Sequence, residues 1–127
     1  MYKRQGGKPF TTAGMEVTAV QVLHYELEAY GFRVSANGSV LAYSGDSGPN
    51  GGLAEIARDA DLFVCEATLA DGDEDREGTP RGHLSAREAE SISVAAGAKR
   101  LLLTHRPVER PLDARFEQSS DGLVVEI

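Results

Sequence analysis

Leu41-Ala-Tyr-Ser-Gly-Asp-Ser-Gly-Pro49 is the stretch of sequence that decides the fold. It begins as an apolar strand over residues 40–43 and ends in a glycine-rich turn that carries one carboxylate, Asp46. In α/β proteins, ligands and metal ions collect at the carboxyl ends of strands, where the connecting loops open. Asp46 is therefore placed to hold a positively charged group, although aspartate is also a common residue of simple turns. The stretch alone leaves both interpretations open.

The bulk composition is typical of one soluble globular domain. The chain has 127 residues, 41% of them hydrophobic, and a formal charge of −7, so it supports a single domain with a modest core. No apolar run approaches the length of a membrane span and no signal-peptide pattern opens the chain, so we expect no membrane association. The single cysteine, Cys65, excludes an internal disulfide and fits a cytoplasmic location. The acidic charge argues against broad, non-specific nucleic-acid binding.

Two short signals set the order of the elements. Asn37-Gly38 between two apolar runs predicts a hairpin, because both central residues of a type I′ turn need positive φ. Ser85 and Glu88 form a capping box that opens a helix, and Gly97 is placed to end it. The whole pattern predicts an α/β fold, a β-hairpin followed by a β-α-β-α-β unit with right-handed crossovers.

The expected boundaries follow from periodicity and turn residues. Residues 1–14 lack periodicity, and we expect a disordered or non-native lead-in there, with one partial domain over 15–127. We expect short connections or loops at 25–30 and 71–81, the second of them mobile. Strands are expected at 16–23, 31–36, 39–43, 62–65, 100–104 and 123–127, and helices at 51–60, 86–96 and 112–118.

Polar residues recur where the expected elements end. His24, Asp46, Glu66 and His105 each close a strand, and His83 precedes a helix. A single histidine is more often a hydrogen-bonded structural residue than a ligand. Three histidines and an acid at element ends favour a metal site, because His and Asp suit zinc or manganese and Asp can bridge two ions. They are too few to complete two sites, since each zinc needs about four donors.

Five short motifs, in order, resemble those of metallo-β-lactamase-fold hydrolases of the RNase Z-like and phosphodiesterase branch. Residues 43–49 (YSGDSGP) are similar to G-D-T-G-P, and 65–68 (CEAT) are similar to H-E-A-T. The others are His24 with 30–33 (YGFR), 82–85 (GHLS), and 103–105 (LTH). Together they cover about residues 16–106, which makes the match more specific than any single motif would.

The resemblance implies a dinuclear site and a role for each motif residue. His24 would bind one metal ion, His105 the other, and Asp46 both. His83 would donate a proton to the leaving oxygen and would be held by Glu66, an arrangement that fixes the tautomer of an imidazole. The ions would be zinc, with manganese as the alternative, and would supply hydroxide for attack on phosphorus.

Three departures from the family pattern shape the expected function. The H-x-H-x-D-H string that supplies most other ligands is absent, so the chain resembles the C-terminal half of an αββα sandwich. Alone, it should bind metal poorly and expose the apolar surface meant for the missing half. Cys65 stands where the family has histidine. The two-residue turn at 37–38 leaves no room for the long arm with which tRNA-processing members grip tRNA.

We therefore expect a phosphodiesterase acting on a small diester such as a cyclic nucleotide. A tRNA 3′-end endonuclease is the alternative within the same fold, with nucleic acid as the less favoured substrate. An inactive fragment or binding module is the alternative of another class, because the ligand set is incomplete. Many members of the family are dimers, so a homodimer is also expected. Arg106 and Arg110, just past His105, could meet a substrate phosphate, although an exposed surface role is the simpler account.

Overall fold

The structure is a computed structural model that describes residues 8–127. The elements in chain order are β1 (Phe10–Thr12), β2 (Met15–His24), β3 (Leu27–Ala36), β4 (Ser39–Tyr43), α1 (Gly51–Ala57), β5 (Leu62–Glu66), a short 3-10 helix (Glu74–Glu77), α2 (Ala86–Ala96) and β6 (Leu101–Thr104). The expected α/β fold class is confirmed. Neither α-helix in the described chain is long and apolar enough to cross a membrane.

All six described strands form one sheet in the order β1-β2-β3-β4-β5-β6. The pairs from β1 to β4 are antiparallel, whereas β4-β5 and β5-β6 are parallel. β2, β4, β5 and β6 consequently run in the same direction, and their carboxyl ends meet at one edge. The parallel pairs are joined through α1 and α2, as parallel strands require a crossover connection.

The two short-range signals form as expected. Asn37 and Gly38 have φ of +54° and +80°, and Ala36 pairs with Ser39 across the turn. Ser85 caps the amide of Glu88 while the Glu88 side chain accepts the Ser85 amide. Gly97 ends α2 with φ of +75°.

α1 and α2 contact each other and pack on the same face of the sheet. Between helices and sheet lies the core, in which the large side chains are fully buried: Leu53, Ile56, Phe63, Leu84 and Leu103. α1 ends at Ala57, three residues before the expected boundary at residue 60. The reason is Asp59, whose φ of +53° is incompatible with a helix and turns the chain toward β5.

The opposite face of the sheet carries a second apolar layer. Direct partners across neighbouring strands form one row on this face: Ala19, Phe32, Tyr43, Val64 and Leu102. Phe32 and Tyr43 are 36% and 43% exposed, while Leu102 is buried. We expected from the sequence that the chain alone would expose apolar surface. This sheet face, with its exposed aromatic rings, is such a surface.

Four expectations about the periphery are corrected. Residues 27–30, expected as a connection, belong to β3, because His24 pairs directly with Leu27 across a two-residue turn. Phe10–Thr12 form β1, which the sequence did not predict. No helix forms at 112–118, since this segment runs beside β6, with the Leu103 amide donating to Glu117 (2.9 Å). No strand forms at 123–127, where Val124 is 83% exposed.

The structure describes only part of the expected lead-in at residues 1–14. Residues 1–7 lie outside the described part of the chain, and within residues 8–14 the exposed strand β1 pairs with β2, Phe10 opposite Val17. The assignment of 1–14 as non-native and of 15–127 as a partial domain stays a prediction. The expected loop at 71–81 contains the 3-10 helix.

Candidate metal centre

The common edge of the parallel-running strands gathers the predicted site residues. His24 ends β2 and Glu66 ends β5, while Asp46 and His105 follow β4 and β6. His83 precedes α2, and its ring centroid lies 5.1 Å from that of His24 and 5.7 Å from that of His105. The structure therefore brings all five residues together.

Asp46 lies between two imidazoles. Its Oδ2 is 4.0 Å from His24 Nε2, and its Oδ1 is 3.5 Å from His105 Nε2. Each carboxylate oxygen thus faces a different histidine, and the Asp46 side chain is 40% exposed. This geometry suits a carboxylate shared by two cations, the role that the sequence resemblance implied; that role stays a prediction.

Two glycines allow the Asp46 turn to press against its neighbours. Gly45 has φ of +60°, and a Cβ there would lie 2.9 Å from the carbonyl oxygen of Tyr30. A Cβ at Gly48 would lie 2.8 Å from the carbonyl oxygen of Arg81. The Gly48 amide in turn donates to the carbonyl of Leu23 at 2.6 Å, which ties the turn to the end of β2. Side chains at either position would force Asp46 away from His24.

Hydrogen bonding leaves the Nε2 atom of His24 directed at the site. His24 Nδ1 is 2.8 Å from the carbonyl oxygen of Gly82 and donates to it. Nε2 then carries the lone pair and faces Asp46. Histidine ligands of metal ions commonly have their second nitrogen fixed in this way by a backbone carbonyl or a carboxylate.

The backbone around His105 is anchored from β5. His105 has φ of +58°, and its carbonyl accepts a hydrogen bond from Thr68 Oγ1 at 3.1 Å. The next residue, Arg106, donates through Nη1 to the carbonyls of Ala67 (2.6 Å) and Leu69 (2.8 Å). Burial lowers the pKa of Arg106. Its guanidinium is thus committed to holding two loops together, which disfavours the phosphate contact considered from the sequence.

The donor set suits a metal ion in chemistry but not in number. Imidazole nitrogens and a carboxylate are ligands that zinc and manganese accept. Across residues 8–127, however, no group of three or more His, Cys, Asp and Glu side chains is arranged so that it could hold a metal ion by itself. His24, Asp46 and His105 lie close together but do not form a complete metal site by themselves, and their role as ligands stays a prediction.

Glu66 and His83 form a buried pair beside this partial shell. His83 Nδ1 is 2.7 Å from Glu66 Oε1, and Glu66 is fully buried. The remaining capacity of the carboxylate is satisfied by the backbone amides of Ser47 (2.9 Å), Thr68 (3.1 Å) and Leu84 (3.0 Å). Four donors from three separate segments hold Glu66 rigidly. With Nδ1 engaged, Nε2 is the nitrogen of His83 that is left for proton transfer.

Two residues next to the site escaped the sequence analysis. The buried Ser44 accepts the Glu66 amide through Oγ at 2.9 Å and so fixes the strand that carries Glu66. Tyr25 lies with its ring centroid 5.0 Å from that of His24 and 5.6 Å from that of His83. Its position directly after His24 was the only available signal. Cys65 is fully buried as expected, and burial raises the pKa of its thiol, which disfavours the reactive thiolate form.

Sequence comparison identifies related proteins. A family model described as "Beta-lactamase superfamily domain" matches residues 3–106. The uncharacterized protein Rv1339 of Mycobacterium tuberculosis is 38% identical over 101 residues, which is 79% of this chain and 36% of that protein. The probable metallo-hydrolase YhfI of Bacillus subtilis is 31% identical over 103 residues, or 81% of this chain and 41% of that protein.

Comparison with solved structures also finds proteins that resemble this chain. YhfI, a metallo-beta-lactamase fold protein, matches 84% of this chain with a TM-score of 0.71 and 31% identity, over 42% of its own length. The short form of human tRNase Z matches 93% of this chain with a TM-score of 0.75 and 29% identity, over 45% of its length. A diphosphatase of the PhnP family matches 98% of this chain with a TM-score of 0.68 and 26% identity, over 48% of its length. The chain thus spans less than half of the length of each of these proteins.

Proposed function

The chain belongs to the beta-lactamase superfamily, and we propose that it forms part of a metal-dependent hydrolase that cleaves phosphodiester bonds in a small substrate such as a cyclic nucleotide. One observation carries this proposal: the buried Glu66–His83 pair stands next to a carboxylate, Asp46, that lies between two imidazoles. A proton donor beside a partial metal shell is what hydrolysis of a phosphate ester requires.

Two divalent cations, zinc or manganese, are the proposed cofactors. His24 would hold one, His105 the other, and Asp46 both. When bound, such ions polarise the phosphoryl oxygen and lower the pKa of water. We assign the missing donors to a part of the protein beyond this sequence, since the relatives it matches are about twice as long or longer.

His83 is the proposed general acid. Its Nε2 would give a proton to the leaving oxygen, so that an alcohol departs instead of an alkoxide. Glu66 accepts a hydrogen bond from Nδ1 at 2.7 Å, which fixes the orientation of the ring and directs Nε2 away from the carboxylate. Because Glu66 is buried and held by three backbone amides, this orientation exists before a substrate binds.

Two features of the chain favour a small substrate: the short turn of the β3–β4 hairpin and the acidic net charge. The strands join through only Asn37 and Gly38, so no arm extends there to grip a folded RNA. The net charge of −7 disfavours a long polyanion. A diester with few phosphates avoids both difficulties.

Two other functions have support of their own. The similarity to human tRNase Z, at a TM-score of 0.75, favours cleavage at the 3′ end of precursor tRNA. The lack of a three-donor cluster in the described residues favours an inactive fragment or binding module. A homodimer and a cytoplasmic location stay predictions from the sequence.

A substrate comparison tests the proposal. The product of the complete reading frame that contains this chain should be loaded with zinc or manganese and assayed with cyclic nucleotides, a chromogenic phosphodiester and precursor tRNA. We expect turnover of the small diesters and little cleavage of tRNA. Preferential tRNA cleavage would establish the endonuclease instead, and a folded product inactive on all three would establish the binding module.

His83→Ala provides the matched variant. It should reduce diester turnover by roughly 10²–10⁴-fold, the usual contribution of a general acid. Bound metal per chain, measured by atomic spectroscopy, should stay unchanged, because His83 is not a proposed ligand. His105→Ala is the comparison and should lower the metal content. Undiminished turnover in His83→Ala would remove His83 from the mechanism.

A further inference from the structure

Tyr25 occupies a place in the site that the proposed reaction does not use. Its ring meets His83 edge-on, with an interplanar angle of 82°, and meets His24 at 46°. His105 stacks on the His83 ring as well, at an interplanar angle of 24° and a centroid distance of 5.7 Å. The His83 imidazole therefore has two ring neighbours, Tyr25 and His105, while Nδ1 is held by Glu66.

Three contacts lock Tyr25 in place. Its hydroxyl lies 2.9 and 3.0 Å from the two oxygens of Glu77 and donates its proton to that carboxylate. Its amide donates to the carbonyl of Arg81 at 3.1 Å. Its ring covers Gly82 so closely that a Cβ there would lie 2.3 Å from Cε2. Glu77, Arg81 and Gly82 thus all contact Tyr25.

The backbone of Tyr25 is held in an unfavourable conformation. Its φ of +55° is uncommon for any residue with a side chain and rare for a bulky one. Such a conformation persists only where surrounding contacts impose it, and these positions concentrate at functional sites. Glycine or asparagine would adopt this φ at lower cost, and the ring of Tyr25 makes contacts that neither could provide.

We infer that Tyr25 is a positioning residue: its ring holds the imidazoles of His24 and His83 in place, and its bond to Glu77 ties the ring to the 71–81 loop. The role in turnover rests on the proposed function, whereas the placement of the rings stands on the geometry alone. Glu66 fixes one nitrogen of His83, but a single hydrogen bond leaves the ring free to swing about it. The ring of Tyr25 blocks that motion.

The first experiment measures the NMR signals of the histidine imidazoles in the absence of substrate. The complete protein is isotope-labelled, and the imidazole NMR signals of the three histidines of this chain are assigned by substituting each of them in turn. They are compared at one and the same pH for every variant. Tyr25→Leu should shift the signals of His24 and His83 and broaden that of His83, with a smaller change at His105. Tyr25→Phe, which keeps the ring, should restore most of the original spectrum.

A matched control exists in the same hairpin. Tyr30 also donates from its hydroxyl to a glutamate, Glu28, at 3.1 Å, but on the exposed surface. Tyr30→Phe removes the same kind of bond and should leave all three imidazole signals in place. Unchanged His24 and His83 signals in Tyr25→Leu, or equal shifts in Tyr30→Phe, would overturn the inference.

Kinetics of the complete, metal-loaded protein separate positioning from binding. Tyr25→Leu should lower kcat by roughly ten- to a hundredfold, because misplacement of a catalytic group by about 1 Å has effects of that size. KM should change by less than about twofold. A large rise in KM with kcat preserved would instead make Tyr25 a substrate-binding residue and contradict the inference.

A double-mutant cycle tests the tether. Tyr25→Phe and Glu77→Ala remove the same hydrogen bond from opposite ends, so the double variant should lose no more kcat than either single variant. Additive losses would show that the bond does not act as one unit. This cycle keeps the aromatic ring and remains decisive if Tyr25→Leu fails to fold. A complete protein with no diester activity would defeat the proposed function, and the imidazole spectra would still decide the role of Tyr25.

Discussion

Glu66 Oε1 and His83 Nδ1 lie 2.7 Å apart although 17 positions separate the two residues in the sequence. The pair joins the end of β5 to the segment before α2, and both partners are mostly or wholly buried. Neither partner is a proposed metal ligand, so the pair can be tested by substitutions that leave the proposed ligands untouched.

Glu66→Gln should separate catalysis from metal binding. The amide keeps the size of the side chain, but it is a weaker hydrogen-bond acceptor for His83 Nδ1–H than the carboxylate is. The tautomer of His83 is then less firmly fixed. In the complete protein, we expect kcat to fall by roughly 10²–10⁴-fold. Steady-state assays and metal analysis measure the two effects. Glu90→Gln, which removes an exposed carboxylate that pairs with Arg115, is the control; an equal loss there would refute the special role of Glu66.

Gly82→Ala should be destabilising, because the added methyl group would lie 2.3 Å from Cε2 of Tyr25. Either the ring or the 77–82 segment has to move, and overpacking of this kind costs about 1–3 kcal/mol of the free energy of unfolding. Urea denaturation measures it. Gly51→Ala is the matched control, since nothing lies within 4 Å of a Cβ there and its φ is ordinary. Equal stability of the two variants would contradict the close contact.

The apolar sheet face should make the 127-residue chain self-associate. Phe32 and Tyr43 lie side by side across β3 and β4 and are 36% and 43% exposed. Replacing both by threonine keeps β propensity and removes the two exposed aromatic rings from this sheet face. Light scattering coupled to size-exclusion chromatography should show a lower mass for the double variant. A parent chain that is monomeric at high concentration would contradict this expectation.

Low pH should reduce the free energy of unfolding of the chain, in part because Asp61 becomes protonated. Hydrogen bonds from Lys99 Nζ (2.9 Å) and the Val40 amide (2.8 Å) hold the pKa of Asp61 below its usual value. Its stabilising contribution is therefore complete above the unfolded pKa of about 3.9 and is lost as the pH falls through the lower folded value.

The Asp61 prediction is measured by urea denaturation across that pH range. Asp61→Asn should be less stable at neutral pH and should lose less stability on acidification below about pH 4. Lys99→Gln, which removes the charged partner, should change the curve in the same direction but less. Parallel curves for parent and Asp61→Asn would show that this carboxylate contributes nothing to acid sensitivity.

The parts of the fold that the sequence predicted are governed by neighbours in the chain. The Asn37-Gly38 turn and the Ser85–Glu88 capping box each depend on residues within three positions, so their signals are local. The buried strands β5 and β6 were found because short apolar runs suit strands covered on both faces.

The parts that were missed depend on distant partners. The turn at Tyr25 contains neither glycine nor asparagine, and its positive φ is imposed by contacts with Glu77 and residues 81–82. The backbone of 117–119 is recruited by Leu103, which local periodicity cannot reveal. Among the candidate site residues, the motifs named all five side chains, but the identification of their neighbours Tyr25 and Ser44 required the sheet register.

The strand order of the sheet is the strand order of the chain. Each strand can therefore add to an edge that is already present when it leaves the ribosome, and no gap has to be held open for a later strand. The histidine after β6 is the last of the three to be synthesised, so the three imidazoles can meet only when the final edge has been laid down. Under the proposed ligand assignment, the arrangement of His24, Asp46 and His105 can therefore form only after the last strand of the sheet has been added.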